Sequence, residues 1–144
     1  MVEVTDAVEV LERQKGRPFF LMCGFIKPHP PWNIPEEWEG LYDDVELPDP
    51  IPVCRQEAYF SGESVWYGDG DSAEHMRAVR AAYFTSISIV DHQVGVLLEY
   101  LENRGILDDP FIVFTSDHGE MLQDRGMYQK SRPFESAAHI PFIV

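Results

Sequence analysis

Between Val79 and Leu101 the apolar residues Val79, Tyr83, Ile87, Val90, Val94, Leu97, Leu98 and Leu101 recur at helical spacing. That pattern lays an apolar stripe along one helix face. Asp71, with Glu74 three residues on, resembles a capping arrangement at the start. Gly105 stands where a helix commonly ends on a left-handed residue. The spacing predicts one long amphipathic helix over about 72–104.

Around that helix the apolar runs are of another kind. Phe19–Ile26 is continuously apolar and lies between Pro18 and Lys27-Pro28. Length and flanks suit a strand buried on both faces. Phe111–Thr115 follows the turn signal Asp109-Pro110, and Ile140–Val144 closes the chain as a third strand-like run. Thr5–Gln14 reads as a helix ended by Gly16 and Pro18, with Ala7, Val8, Val10 and Leu11 as its apolar face. Pro35–Trp38 and Phe134–Ala138 read as short helices, and residues 116–133 as a polar loop. Helices interleaved with strands make the fold class α/β.

Two segments are irregular. Lys27–Pro35 holds four prolines, which exclude a helix and predict an extended, stiff path. Residues 40–70 are rich in Pro and Gly; so long a loop suggests either function or a surface that packs against something else. The chain starts just before a helix and stops inside an apolar run. It reads as an internal piece of a larger protein, since a buried strand needs neighbours on both sides.

The formal net charge of −14 over 144 residues argues against nucleic acid and anionic membrane as partners. No apolar run reaches membrane-spanning length, and residues 1–6 have neither the basic nor the apolar region of a signal peptide. There are two cysteines, Cys23 and Cys54, and no Cys-x-x-Cys pair. Zinc and redox chemistry are weakly supported, and a Cys23–Cys54 disulfide stays open.

Chemistry concentrates at strand ends. Phe111–Thr115 delivers Ser116, Asp117, His118 and Gly119 to its C-terminal end, the edge where ligands bind in open α/β sheets. A carboxylate suits hard cations and an imidazole softer ones. Two ligands are too few for a site, and taken alone an Asp capping a turn beside a surface His is the plainer reading. His29 lies just past the first strand, in Pro28-His29-Pro30-Pro31. An imidazole held there can bind an oxyanion or donate a proton. Lys130 follows His118 by twelve positions, and an ammonium there holds an anion only if its loop folds back over the strand end.

Together these segments resemble the sulfatase family of the alkaline-phosphatase-like superfamily. The resemblance is carried by Pro18–Leu21 leading into Gly24-Phe25-Ile26-Lys27-Pro28-His29-Pro30-Pro31, and by Val90-Asp91-His92-Gln93-Val94-Gly95 on the long helix. It continues through Thr115-Ser116-Asp117-His118-Gly119-Glu120-Met121-Leu122, Asp124-Arg125-Gly126, Lys130, Glu135-Ser136 and Ile140–Val144. The resemblance implies a mixed or parallel sheet flanked by helices, with residues 1–144 forming part of a catalytic domain incomplete at both ends. It implies that Asp117 and His118 bind a divalent cation, calcium most often with magnesium as the other choice, beside two acidic residues from an N-terminal region. It implies that Lys130 and His29 contact the sulfate, with His29 protonating the leaving oxygen. The substrate class implied is a sulfate ester, either a small molecule or a sulfated glycan. The family's periplasmic, secreted, lysosomal and cytoplasmic members leave the compartment open.

The departures are specific. Sulfatases carry a formylglycine made from Cys or Ser in a Cys/Ser-x-Pro-x-Arg motif. Here Cys23 is followed by Gly-Phe-Ile-Lys and Cys54 by Arg-Gln-Glu-Ala, so neither fits. The formylglycine is expected in an N-terminal region outside this chain, and the chain alone is expected to be inactive. Gln123 stands where many members have Gly. Two other functions fit the same residues: a phosphonate monoester hydrolase or phosphodiesterase of the superfamily, and a short non-catalytic binding or structural module.

Overall fold

The computed structural model describes residues 4–14, 16–52, 66–67 and 71–144. Cys54 and most of the expected 40–70 loop lie outside them. The elements in chain order are α1 (Val4–Arg13), β1 (Trp66–Tyr67), α2 (Ala73–Asn103), β2 (Phe114–Thr115), β3 (Met127–Tyr128), α3 (Glu135–Ala138) and β4 (Phe142–Ile143). Single 3-10 turns form at Glu36–Trp38 and Asp124–Gly126. The chain divides into two compact units, Met1–Asp44 with Ala81–Pro110, and Val45–Arg80 with Phe111–Val144.

The long helix forms where the spacing places it, but its cap differs. Ser72 Oγ accepts the His75 N–H at 3.1 Å. Asp71, the expected cap, instead accepts hydrogen bonds from the Gln123 side chain at 2.8 Å and the Tyr128 hydroxyl at 2.9 Å. A short side chain one residue closer makes the better cap, which leaves Asp71 for tertiary contacts. At the other end Gly105 has φ 67, its N–H reaches the Glu102 carbonyl, and the Ile106 N–H reaches the Leu101 carbonyl. Both orphan carbonyls are thereby satisfied by a Schellman ending.

In the first unit α1 buries Val4, Ala7 and Leu11, a stripe at i, i+3 and i+7. It runs alongside α2 in the same direction. The Val4 N–H meets Gln93 Oε1 at 3.4 Å, and one residue before the end of α1 Glu12 Oε1 accepts the Tyr100 hydroxyl at 2.6 Å. Arg104 adds an ion pair to Glu12 at 3.4 Å. The Glu12 carboxylate, through that hydrogen bond and then burial, pushes the Tyr100 hydroxyl above its usual pKa. On α2, Tyr83 packs edge-on against Trp32, and Tyr42 donates to or accepts from Ser88 at 2.9 Å.

Phe19–Ile26 is not a buried strand. It has no strand pairing, and Phe20 and Met22 are 93% and 83% exposed. The Lys27–Pro35 segment is non-helical as expected, but it turns back on itself instead of extending, with cis peptide bonds before Pro28 and Pro31.

The second unit holds two antiparallel ribbons, β1 with β3 and β2 with β4. Phe114 lies opposite Ile143 and Thr115 opposite Phe142. The strand expected over Phe111–Thr115 shortens to two residues, and its apolar side chains are exposed, Phe111 at 82%. A two-stranded ribbon covers neither face of a strand whose composition suits burial on both. Among the described residues the strand pairing is antiparallel.

The unit's core sits instead in the segment expected to be a polar loop. Met121, Met127 and Ala137 are buried together, with Phe134 packed on them. Residues 121–129 form a hairpin: the Met121 N–H bonds to the Gln129 carbonyl at 2.9 Å and the Gln123 N–H to the Met127 carbonyl at 2.8 Å. Leu122, Gln123, Arg125 and Gln129 all have positive φ. Each such residue with a Cβ is held in a disfavoured conformation by its surroundings. Arg80, buried, donates to the Leu122 carbonyl at 2.6 Å. Asp124 receives the Ile51 N–H and the Ser136 hydroxyl, and Arg125 lies over the Phe134 ring at 4.8 Å.

Gly119 joins this core to β2. Its N–H donates to the Ala137 carbonyl at 2.8 Å. A Cβ on it would come within 2.2 Å of the Ser136 carbonyl oxygen, a backbone atom. Gly119→Ala is therefore expected to lower stability by about 1–3 kcal/mol, as overpacking does, and thermal melting would read this as a lower Tm. Tyr128 supplies a second test. Burial, with the carboxylates of Asp71 and Glu120 adding to it and the Gln123 hydrogen bond opposing, pushes its hydroxyl pKa above 10.0. A folded pKa above the unfolded one favours the native state below about pH 10 and is lost as pH rises further. Tyr128→Phe is expected to cost about 1 kcal/mol at neutral pH and to flatten the alkaline decline seen in denaturant melts of the parent sequence.

Candidate functional site

β2 hands the chain to Ser116, whose hydroxyl bonds to the His118 carbonyl at 2.8 Å. This turn, with the Gly119 contact, sets the directions of Asp117 and His118. The His118 N–H donates to Asp117 Oδ1 at 3.1 Å. His118 Nδ1 lies 2.7 Å from the Gly119 carbonyl. A carbonyl only accepts, so Nδ1 carries the proton and the neutral ring presents its lone pair at Nε2. That nitrogen is 3.8 Å from Asp117 Oδ2. The imidazole is largely covered and the carboxylate is 88% exposed.

This arrangement fits two ligands of one cation. Metal-binding histidines commonly donate their other ring N–H to a carbonyl or carboxylate, which fixes tautomer and orientation. Cation–ligand distances of about 2.0–2.6 Å let donors separated by this much face a single ion. Among the described residues no three His, Cys, Asp or Glu side chains gather as a metal site. Asp117 and His118 are thus two neighbouring donors, short of a metal centre by themselves.

Lys130 belongs to the same unit and follows the hairpin directly. The hairpin is held by Glu120, whose Oε1 accepts the Leu122 N–H at 3.2 Å and the Gln129 N–H in a short bond. Glu120 is absent from the set of site residues expected from sequence. Its one sequence signal is its position, a carboxylate two residues after His118 and directly before a buried apolar pair.

His29 belongs to the other unit. Its N–H bonds to the Ile26 carbonyl at 3.0 Å, and Nδ1 lies 2.7 Å from the Pro30 carbonyl. By the same reasoning Nδ1 holds the proton and the ring lone pair lies on Nε2. The turn carrying it is closed by Lys27, whose Nζ donates to the carbonyls of Pro31 at 2.7 Å and Asn33 at 3.0 Å. The Trp32 indole adds a bond to the Pro28 carbonyl at 2.9 Å. Partial burial pulls the Lys27 pKa down.

Cys23 is a free thiol, pushed above its usual pKa by burial. A thiol kept neutral in this way is a poor nucleophile. Neither its setting nor the residues after it fit a formylglycine site. No helix among the described residues is long and apolar enough to cross a membrane.

The likeness to known proteins extends along the chain. It is 31% identical over 146 residues to the arylsulfatase of Clostridium perfringens, covering 98% of this chain and 30% of that protein. Human iduronate 2-sulfatase is 35% identical over 158 residues, covering 96% of this chain and 28% of the relative. The crystal structure of the phosphonate monoester hydrolase of Agrobacterium radiobacter superposes with a TM-score of 0.81 at 27% identity, over 96% of this chain and 31% of that one. The chain thus spans under a third of each, and within that span it has their α/β fold. The profile of one family, Sulfatase, matches residues 3–144, so the chain belongs to the sulfatase family.

Proposed function

We propose that this chain supplies part of the active site of an enzyme that hydrolyses sulfate esters. Asp117 and His118 are two ligands of a divalent cation, calcium in the first instance and magnesium otherwise. Lys130 and His29 contact the sulfate group. The observation that carries this reading is the fixed tautomer of His118, which leaves its lone pair on Nε2, 3.8 Å from Asp117 Oδ2. The cation, when bound, supplies positive charge to the sulfuryl oxygens. Lys130 adds an ammonium whose charge neutralises developing anionic character as the ester bond breaks. His29, with its Nδ1 proton engaged by the Pro30 carbonyl, carries any further proton at Nε2 and can pass it to the leaving oxygen. These positive groups also offset the field of a chain whose formal charge is −14.

The substrate is a small sulfate ester or a sulfated glycan, and the formylglycine of the family would come from residues outside this chain. A second reading, hydrolysis of phosphonate monoesters, is favoured by the structural likeness to the Agrobacterium radiobacter hydrolase. The same cation and basic side chains suit both tetrahedral anions.

The full-length protein tests both readings. Its kcat/KM on aryl and sugar sulfates is expected to exceed that on phosphonate monoesters; the reverse order establishes the second reading. Lys130→Ala is expected to lower kcat/KM by about 100- to 1000-fold, the range for removing one transition-state charge partner. His118→Ala is expected to weaken calcium binding, measured by calorimetry, by more than about tenfold. Unchanged kinetics in the first variant and unchanged calcium affinity in the second would remove this site assignment.

A further inference from the structure

We infer that Glu120 is a positioning residue for Lys130, acting through the backbone of Gln129. This deepens the sulfate-site reading above and rests on Lys130 being a sulfate contact. The structural part stands on the hairpin. Glu120 Oε1 accepts the Leu122 N–H and, in a short bond, the Gln129 N–H. One carboxylate oxygen therefore ties the first and last turns of the hairpin together. An ionised acceptor makes stronger bonds to N–H than a neutral one.

Gln129 is the point of leverage. Its φ is 67, a left-handed conformation that a residue with a Cβ adopts only when held. Its N–H is held by Glu120 and its carbonyl by the Met121 N–H at 2.9 Å. That carbonyl is part of the peptide unit leading to Lys130, so these two bonds set the direction in which the Lys130 backbone departs. The other ties of the hairpin act elsewhere. Arg80 holds Leu122, Asp71 holds Gln123 and Tyr128, and Asp124 holds Ile51 and Ser136. The side-chain tie to Gln129 comes from Glu120. Glu120 is also two residues from His118, so the same short segment that carries the cation ligands sets the path to the lysine.

Without the Glu120 oxygen, Gln129 can relax to negative φ, and Lys130 would leave the hairpin at a different angle. Misplacement of a binding group by about 1 Å can cost on the order of 100-fold. Glu120→Gln keeps an oxygen acceptor at the same reach and is expected to retain most of the function. Glu120→Asp keeps the charge and loses one methylene of reach.

The test is calorimetric titration of the full-length protein, in calcium, with inorganic sulfate, alongside amide hydrogen exchange. Glu120→Ala is expected to speed exchange at the Gln129 amide and to weaken sulfate binding by about 10- to 100-fold. Glu120→Gln is expected to restore most of both. In the Lys130→Ala background, Glu120→Ala should weaken sulfate no further, because the two act as one unit. Full additivity of the two losses overturns the inference, since a general loss of structure adds to the loss of Lys130. Unchanged sulfate affinity in Glu120→Ala, with Lys130→Ala weakened, also overturns it and leaves the site reading intact. Unchanged affinity in Lys130→Ala removes the site reading itself. Should Glu120→Ala not fold, Glu120→Asp gives the same comparisons.

Discussion

The backbone of Gly119 lies against the backbone of Ser136 and Ala137, closer than any side chain would allow. Its N–H bonds to the Ala137 carbonyl. Through this contact the turn bearing Asp117 and His118 rests on α3 instead of standing free at the end of β2. The constraint propagates in both directions. Upstream, β2 pairs with β4, and Thr115 Oγ1 donates to the Pro141 carbonyl at 2.9 Å. Downstream, Met121 enters the core beside Ala137. A glycine at this position is required by space, since its backbone conformation is one that other residues adopt freely.

Polar groups hold what the small core cannot. The hairpin of residues 121–129 contains four non-glycine residues with positive φ, and its apolar contacts are few. Arg80, Asp71 and Glu120 each bond to it, and its own Asp124 accepts from Ile51 and Ser136. Buried polar groups satisfied in this way specify one conformation, because a partner lost leaves a desolvated group unpaired. The consequence is a loop of irregular backbone with a single course, which is what a lysine needs if it is to present its charge at one place. Gln123 shows the same trade. Its φ of 75 suits the glycine found there in many sulfatases. Its side chain offsets the disfavoured backbone by bonding to Asp71 and Tyr128.

Much of the fold was legible from spacing. The long helix, the N-terminal helix, the 3-10 turn at Glu36–Trp38 and the short helix after Phe134 all rest on local patterns of apolar residues, prolines and glycine. Local rules fail where partners are remote. Asp71 looks like a cap until Gln123 and Tyr128 compete for it. Residues 116–133 look polar, yet Met121, Leu122, Met127 and Tyr128 are buried, because a hairpin gathers apolar residues that are scattered along the chain. Phe19–Ile26 and Phe111–Thr115 have the composition of doubly covered strands, but burial depends on layers that composition does not supply.

For the site, the sequence by itself determined which groups are available: Asp117 and His118 side by side, Lys130 after a short segment, His29 among prolines. Their order and spacing sufficed to indicate the family, because several motifs in register are far more specific than one. Only the tertiary structure decided the proton on His118, through a carbonyl of the next residue, and the path to Lys130, through a carboxylate nine residues from the amide it holds. Both depend on hydrogen-bond geometry in three dimensions, where a distance of a few tenths of an ångström separates a bond from none.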